Sequence, residues 1–165
     1  MSKAFTSEET EEAPVLVRPR APLPPEATNY VTPAGLTALN GELQGLLEQR
    51  KGLESKGDER KRDLQLLNGR ITELDGRLST ARVVNPKEQP QDEIRFGATV
   101  VVENDAGLQR TYQLVGVDEA DAKAGKIAFM APLAGALLGR KVGDAVTVVT
   151  PRIDEELTVI SIAYW

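Results

Sequence analysis

The stretch Thr32–Val84, TPAGLTALNGELQGLLEQRKGLESKGDERKRDLQLLNGRITELDGRLSTARVV, decides the fold of this chain. Its apolar residues recur at alternating steps of three and four, which is typical of a helix packed along a seam against another helix. The seam positions are Leu36, Leu39, Leu43 and Leu46, then Leu64, Leu67, Ile71, Leu74, Leu78 and Ala81. Ser55-Lys56-Gly57-Asp58 interrupts them with turn chemistry. We therefore expect an antiparallel helical hairpin with its tip near Gly57 and Asp58. The alternative is one long helix paired with a second copy, because both runs keep a single heptad frame.

The ends of the two arms carry recognisable signals. Thr32 is a good N-cap, and Pro33 follows at the first helical position, where its missing N–H costs nothing. The second arm is predicted from about Glu59 to Arg82, supported by polar pairs such as Glu73 with Arg77 and stopped by Asn85-Pro86. Three glycines weaken the first arm by about 1 kcal/mol each relative to alanine: Gly41, Gly45 and Gly52.

Composition excludes several classes of protein. The chain has 165 residues, a net charge of −5, 4% aromatic residues and neither Cys nor His. This excludes disulfides, imidazole or thiolate metal sites and histidine-based triads, and it disfavours a general nucleic-acid coat. No apolar run is long enough to span a bilayer, and the acidic N-terminus is unlike a signal peptide. We expect a cytoplasmic protein that does not contact membranes.

Both flanks of the hairpin read as connecting segments. Residues 1–29 combine clustered glutamates with closely spaced prolines, a composition that favours a disordered acidic, Pro-rich tail. Residues 85–94 are polar with two prolines and read as a linker. The expected organisation is therefore a tail over 1–29, a coiled-coil hairpin over 30–84, a linker over 85–94 and a second domain over 95–165.

From Arg95 onward the sequence period changes from helical to extended. Two strands are predicted around the turn Asn104–Gly107, and a third near Ile127–Met130. Pro132 opens a short helix that Gly139 ends. Two further strands follow, over Ala145–Thr150 and Glu156–Tyr164. The pattern indicates a small α+β domain with a mostly antiparallel sheet.

Two acidic clusters are candidates for chemistry. Asp118, Glu119 and Asp121 could hold a hard cation through oxygen ligands, although a solvated or partner-facing patch is favoured over a metal site. Asp58 and Glu59 lie at the expected tip, where two adjacent carboxylates could complete a Mg²⁺ site that another protein mostly provides. We identify no catalytic residue and no metal site of the chain's own, and expect that it is not itself an enzyme.

Six short motifs resemble the Gre transcription elongation factors (GreA/GreB) of bacteria, over about residues 30–165. They are Tyr30–Leu36 (YVTPAGL), Leu78–Val84 (LSTARVV), Phe96–Val100 (FGATV), Val115–Asp121 (VGVDEAD), Ala131–Gly139 (APLAGALLG) and Val142–Asp144 (VGD). The resemblance implies an α+β protein: an N-terminal antiparallel α-helical hairpin followed by an FKBP-like antiparallel-sheet domain with a short helix. It also implies a monomer that grips RNA polymerase at its secondary channel. In that family the hairpin tip helps to hold a second Mg²⁺ in the polymerase centre, near the nascent RNA.

The resemblance carries over to candidate contact residues one by one. The positions matching the family's polymerase-binding loop and its adjoining signature are Asp118, Glu119, Asp121, Pro132, Leu133, Leu137, Leu138, Gly143 and Asp144. Core packing is an equally good explanation for the leucines. Ala131 and Gly135 depart from the family, which commonly has Ser and Arg there, so part of the contact is expected to differ.

The tip departs further from the family pattern. Gly57-Asp58 is followed by Glu59, but the position three after Asp58, usually acidic, is Lys61. The resemblance also makes each arm about eight residues shorter, and at 1.5 Å per residue the rod is about 12 Å shorter. We therefore expect a regulator of elongation whose tip stops short of the catalytic centre.

Two other functions remain open at this point. A cleavage-stimulating factor would use Asp58 and Glu59 to share the polymerase Mg²⁺ as its only cofactor. An FKBP-type peptidyl-prolyl isomerase would need an aromatic-lined pocket, for which the second domain offers few rings: Phe96, Tyr112, Phe129, Tyr164 and Trp165.

Overall fold

A computed structural model describes residues 19–56 and 60–165, in which a helical hairpin precedes a five-stranded sheet. The hairpin segment comprises β1 (Tyr30–Val31), α1 (Pro33–Glu54), α2 (Lys61–Thr80) and β2 (Arg82–Val83). The second domain comprises β3 (Thr99–Asn104), β4 (Gln109–Val115), β5 (Lys126–Ala128), α3 (Pro132–Leu137), β6 (Ala145–Val149) and β7 (Asp154–Ala163). Short 3₁₀ turns cover Pro86–Glu88 and Ala122–Ala124.

The two long helices pack along the predicted seam. The Thr32 hydroxyl accepts a hydrogen bond from the Gly35 N–H at 2.9 Å, so α1 begins where its N-cap predicts. The residues buried between the helices are Val31, Leu39, Leu46, Leu67, Ile71 and Leu74. The predicted hairpin is confirmed, and the single long rod is wrong because α1 ends at Glu54 and α2 packs against it. The predicted tip residues Asp58 and Glu59 lie outside the described residues.

The base of the hairpin is closed by a small parallel sheet that the sequence did not indicate. The second arm ends at Thr80 and not at Arg82, because Arg82–Val83 pairs in parallel with Tyr30–Val31. Asn29 adds a side-chain cap: its amide donates to the Arg77 carbonyl at 2.9 Å. Such a bond satisfies a carbonyl that the end of α2 would otherwise leave unpaired.

The second domain is the predicted α+β unit. Its strand order is β5-β4-β3-β7-β6, antiparallel throughout except for the parallel pair β4–β5. The α3 helix contributes Leu133, Ala134 and Leu137 to the core of this domain. The inward residues of the strands complete that core: Val100, Val102, Leu114, Val146, Val148, Leu157 and Val159.

The segment predicted as a linker is built into the second domain. Pro86 is buried and lies against Gly97, where an added Cβ would come within 3.0 Å of the proline ring. Ile94 is fully buried, its N–H donates to the Arg140 carbonyl at 2.8 Å, and its carbonyl accepts from the Gly139 N–H at 2.7 Å. The hairpin therefore joins the sheet through packed chain and not through a free tether.

Candidate functional site

A loop at the end of β4, residues 116–121 and here termed the junction loop, lies against the base of the hairpin. Gly116 permits this approach, because a Cβ there would come within 2.5 Å of the Tyr30 carbonyl oxygen. Only glycine lets two backbones pass so closely. The loop carries the three carboxylates that the sequence marked: Asp118, Glu119 and Asp121.

Asp118 is held between two guanidinium groups. Its Oδ1 accepts from Arg20 Nε at 3.0 Å and its Oδ2 from Arg77 Nη1 at 3.0 Å, and its side chain is only 6% exposed. Arg20 also donates from Nη1 and Nη2 to the two oxygens of Glu42, at 2.7 and 3.1 Å. The hydrogen bond to Glu42, helped by that to Asp118, raises the pKa of Arg20 further above its usual range.

Glu119 and Asp121 are turned to different partners. Glu119, 11% exposed, accepts a hydrogen bond from the Thr32 hydroxyl at 2.6 Å and lies 3.7 Å from Lys126 Nζ. Asp121 is exposed and accepts from the Lys123 N–H at 3.1 Å, which caps the 3₁₀ turn. The sequence left open whether these carboxylates face solvent or a partner. The solvated alternative is wrong for Asp118 and Glu119, because both carboxylates are largely buried in contacts between the hairpin and the sheet domain. The partner-facing alternative stays a prediction.

The predicted contact residues in and next to the short helix α3 differ in exposure. Leu133 and Leu137 are buried in the core of the sheet domain, so their side chains are not available to a partner. Here the core-packing interpretation is the correct one. Pro132, the first residue of this helix, and Leu138, the residue after its end, are exposed.

Gly143 and Asp144 form a tight turn before β6. Gly143 has a φ of +90°, a left-handed value that favours glycine. The Asp144 carboxylate accepts from the Lys141 N–H at 2.8 Å, and the neighbouring Val142 is exposed. Gly143 and Asp144 thus fix the conformation of a turn in which the apolar side chain of Val142 is exposed.

Three aromatic rings join the hairpin base to the sheet domain. Tyr30 lies with its ring centroid 5.7 Å from that of Phe96 and 5.6 Å from that of Phe129, and the two phenyl rings are 5.5 Å apart. Edge-to-face contacts of this kind add to simple burial. Tyr30 of the hairpin is therefore packed against two of the few aromatic rings of the sheet domain.

Comparison of the sequence with known proteins identifies a family. The profile described as "Transcription elongation factor, GreA/GreB, C-term" matches residues 89–164. The transcription elongation factor GreB of Neisseria meningitidis serogroup B is 35% identical over 156 residues, which cover 84% of this chain and 96% of that protein. The chain belongs to the GreA/GreB family of transcription elongation factors.

Other members of the GreA/GreB family match over different lengths. GreA of Acinetobacter baumannii is 37% identical over 152 residues, covering 81% of this chain and 96% of that protein. GreA of Alkalilimnicola ehrlichii is 43% identical over 100 residues, but the chain spans only 63% of its length. The crystal structure of GreA factor homolog 1 of Thermus thermophilus is 26% identical with a TM-score of 0.41, and it covers 83% of this chain and 99% of its own.

Within residues 19–56 and 60–165, no three His, Cys, Asp or Glu side chains converge in a way that could hold a metal ion. In the same described part of the chain, no helix is long and apolar enough to cross a membrane.

Sequence reasoning missed the partners of the junction loop. The sequence places Arg20 in the tail and predicts a pair between Arg77 and Glu73. In the structure, Arg20 and Arg77 both bind Asp118. Residues 19–29 are accordingly not a free tail. A lone arginine among prolines gives no local signal of this contact, because its partners lie far away along the chain.

Proposed function

We propose that this family member binds RNA polymerase through its sheet domain, enters the secondary channel with its hairpin and regulates elongation. The observation that carries the proposal is a stiff two-helix rod fixed at its base to the domain expected to dock. The α1 helix has 22 residues, a length of about 33 Å. The junction loop and the aromatic contacts fix the direction in which that rod points.

The length of the rod supports regulation without transcript cleavage. Against the family pattern the arms are about eight residues shorter, which withdraws the tip by about 12 Å. Bonds to Mg²⁺ are about 2 Å long, so Asp58 and Glu59 would be too distant to share a metal with the polymerase. The chain then acts as a cytoplasmic monomer without an active site or cofactor of its own.

The second candidate keeps the cleavage activity, with Asp58 and Glu59 sharing the polymerase Mg²⁺ beside the nascent RNA. The acidic pair at the expected tip favours it. A peptidyl-prolyl isomerase is the weakest candidate, because it needs an aromatic-lined pocket, and two of the few rings of the sheet domain, Phe96 and Phe129, are packed against Tyr30. A proline-isomerisation assay on a short peptide tests it directly, and turnover there would revive it.

A transcript-cleavage assay on stalled, backtracked complexes separates the first two candidates. Polymerase binding is measured in parallel on an immobilised enzyme, with a cleavage-active GreB as positive control. We expect binding and competition with that GreB, but no stimulated cleavage. Cleavage that disappears in Asp58→Ala would establish the second candidate instead. An absence of binding to polymerase would overturn both.

A further inference from the structure

The segment Arg20–Pro25, here termed the strap, precedes the region that resembles the family and crosses the junction loop. Arg20 bridges Glu42 on α1 and Asp118 on the loop. The next residue is held from the second arm, because Arg77 Nη2 donates to the Ala21 carbonyl at 2.6 Å. The strap therefore contacts both arms of the hairpin and the sheet domain.

The strap occupies a carboxylate that the family pattern assigns to the partner. Both oxygens of Asp118 are used, one by Arg20 and the other by Arg77. A partner that reads an acidic loop must bring a cationic side chain, since a carboxylate only accepts hydrogen bonds. With Asp118 buried under two arginines, a third cation can reach it only where one of the two withdraws.

Arg20 is the one that can withdraw. Arg77 lies in the last turn of α2, a helix packed against α1, whereas Arg20 lies in a proline-rich segment outside helices and strands. Its outer partner Glu42 has a side chain 44% exposed, and ion pairs at such exposure are worth little. The described strap residues are otherwise half-buried or exposed.

The strap borders an open groove on the surface of the sheet domain. The groove has a volume of about 640 Å³, and the prolines of the strap are among the residues that line it. The sheet-domain residues that line it are Val117, Ala120, Ala128, Met130 and Ala131. An open groove supplies few attractive contacts, so the attachment of the strap depends on the bonds of Arg20 and on the bond from Arg77 to the Ala21 carbonyl.

We propose that the strap is an intramolecular competitor: Arg20 stands in for a basic side chain of RNA polymerase at Asp118, and docking displaces it. This inference rests on the proposed binding to polymerase. It makes the affinity for polymerase depend on how often the strap is open, because a site available for only a fraction of the time binds more weakly by that fraction.

Binding of the full chain to immobilised RNA polymerase tests the strap. Arg20→Ala is expected to bind about three- to tenfold tighter than the unmodified chain, because the competing state is removed. Glu42→Gln weakens the outer anchor without touching Asp118, so it should shift affinity in the same direction by less. Arg95→Ala is the matched control, since Arg95 pairs with Glu93 away from the strap and should leave affinity unchanged.

A double substitution ties the effect to the carboxylate. In an Asp118→Ala background, adding Arg20→Ala should give no further gain, because the contested group is gone. Unchanged or weaker binding by Arg20→Ala in the otherwise unmodified chain would overturn the strap while leaving polymerase binding intact. If even the unmodified chain does not bind polymerase, the proposed function and the strap both fail.

A measurement without polymerase tests the strap separately from the proposed binding to polymerase. Trypsin cleaves after arginine, so it reports how often the Arg20–Ala21 bond leaves the surface. Glu42→Gln should speed cleavage at this bond, and Arg95→Ala should not. Equal rates in all three proteins would show that Glu42 does not hold the strap and would contradict the proposal whatever polymerase does.

Discussion

At Gly116 the backbone of the sheet domain passes close to the backbone of the hairpin base. An alanine Cβ there would lie 2.5 Å from the Tyr30 carbonyl oxygen, which belongs to backbone and cannot swing aside. We expect Gly116→Ala to lower the free energy of unfolding by about 1–3 kcal/mol in urea titrations. Gly135→Ala is the matched control, because nothing lies within 4 Å of its Cβ position. Equal effects of the two substitutions would contradict the close approach.

Tyr164 couples stability to alkaline pH. Its hydroxyl donates to the Glu93 carbonyl and accepts from the Arg95 N–H at 2.9 Å, and burial raises its pKa above the usual 10.0. Because the folded protein holds this proton more tightly, the stability contributed below pH 10 is lost as pH rises through the folded-state pKa. We expect Tyr164→Phe to cost about 1–2 kcal/mol at neutral pH and to flatten the alkaline decline of the unfolding free energy.

A second tyrosine provides the control for this measurement. Tyr112→Phe also removes a hydroxyl from the sheet domain but leaves the bonds to Glu93 and Arg95 in place. It should retain the alkaline decline of the unmodified protein. An unaltered decline in Tyr164→Phe would mean that another group causes it.

The first helix of the hairpin contains glycines that lower its stability and that no close contact requires. Gly41, Gly45 and Gly52 lie in α1, and an added Cβ at each would meet nothing within 4 Å. Replacing all three by alanine should stabilise the protein by about 0.5–1 kcal/mol per site, seen by circular dichroism in urea. Gly107→Ala is the contrasting substitution, since its φ of +77° disfavours alanine and should destabilise. A triple variant no more stable than the parent would contradict this account.

At the scale of elements, sequence patterns predicted the helices, whose signals lie within a few neighbouring residues. The leucine seam gave the hairpin, and Thr32 with Pro33 gave the start of α1, because these signals lie within a few residues of one another. The pairing of Tyr30–Val31 with Arg82–Val83 was not predictable in this way. Strands of two residues have no period to read, and their partners lie at opposite ends of the hairpin.

Whole-molecule contacts were the part of the candidate site that the sequence did not predict. The family motif located the acidic loop in the sequence, but it did not predict how exposed the carboxylates of that loop are. Asp118 looks solvated in sequence because it is one of three clustered acidic residues with Glu119 and Asp121, yet it is buried by Arg20 and Arg77 from distant segments. Periodicity placed Arg77 beside Glu73 on one helix face, and the fold gave it a stronger partner across the junction.

The junction loop should determine whether the molecule behaves as one rigid body. Asp118→Ala leaves Arg20 and Arg77 without their shared carboxylate, which we expect to cost about 2–4 kcal/mol and loosen the hairpin against the sheet. The chain has no cysteine, so spin labels at Gln44→Cys and Gln109→Cys report one distance between the domains. The distribution of the distance between the two labels should be narrow in the parent and broad in Asp118→Ala. It should stay narrow in Asp105→Ala, which removes an exposed acid outside the junction. A narrow distribution in Asp118→Ala would assign the rigidity to Tyr30 and its aromatic contacts instead.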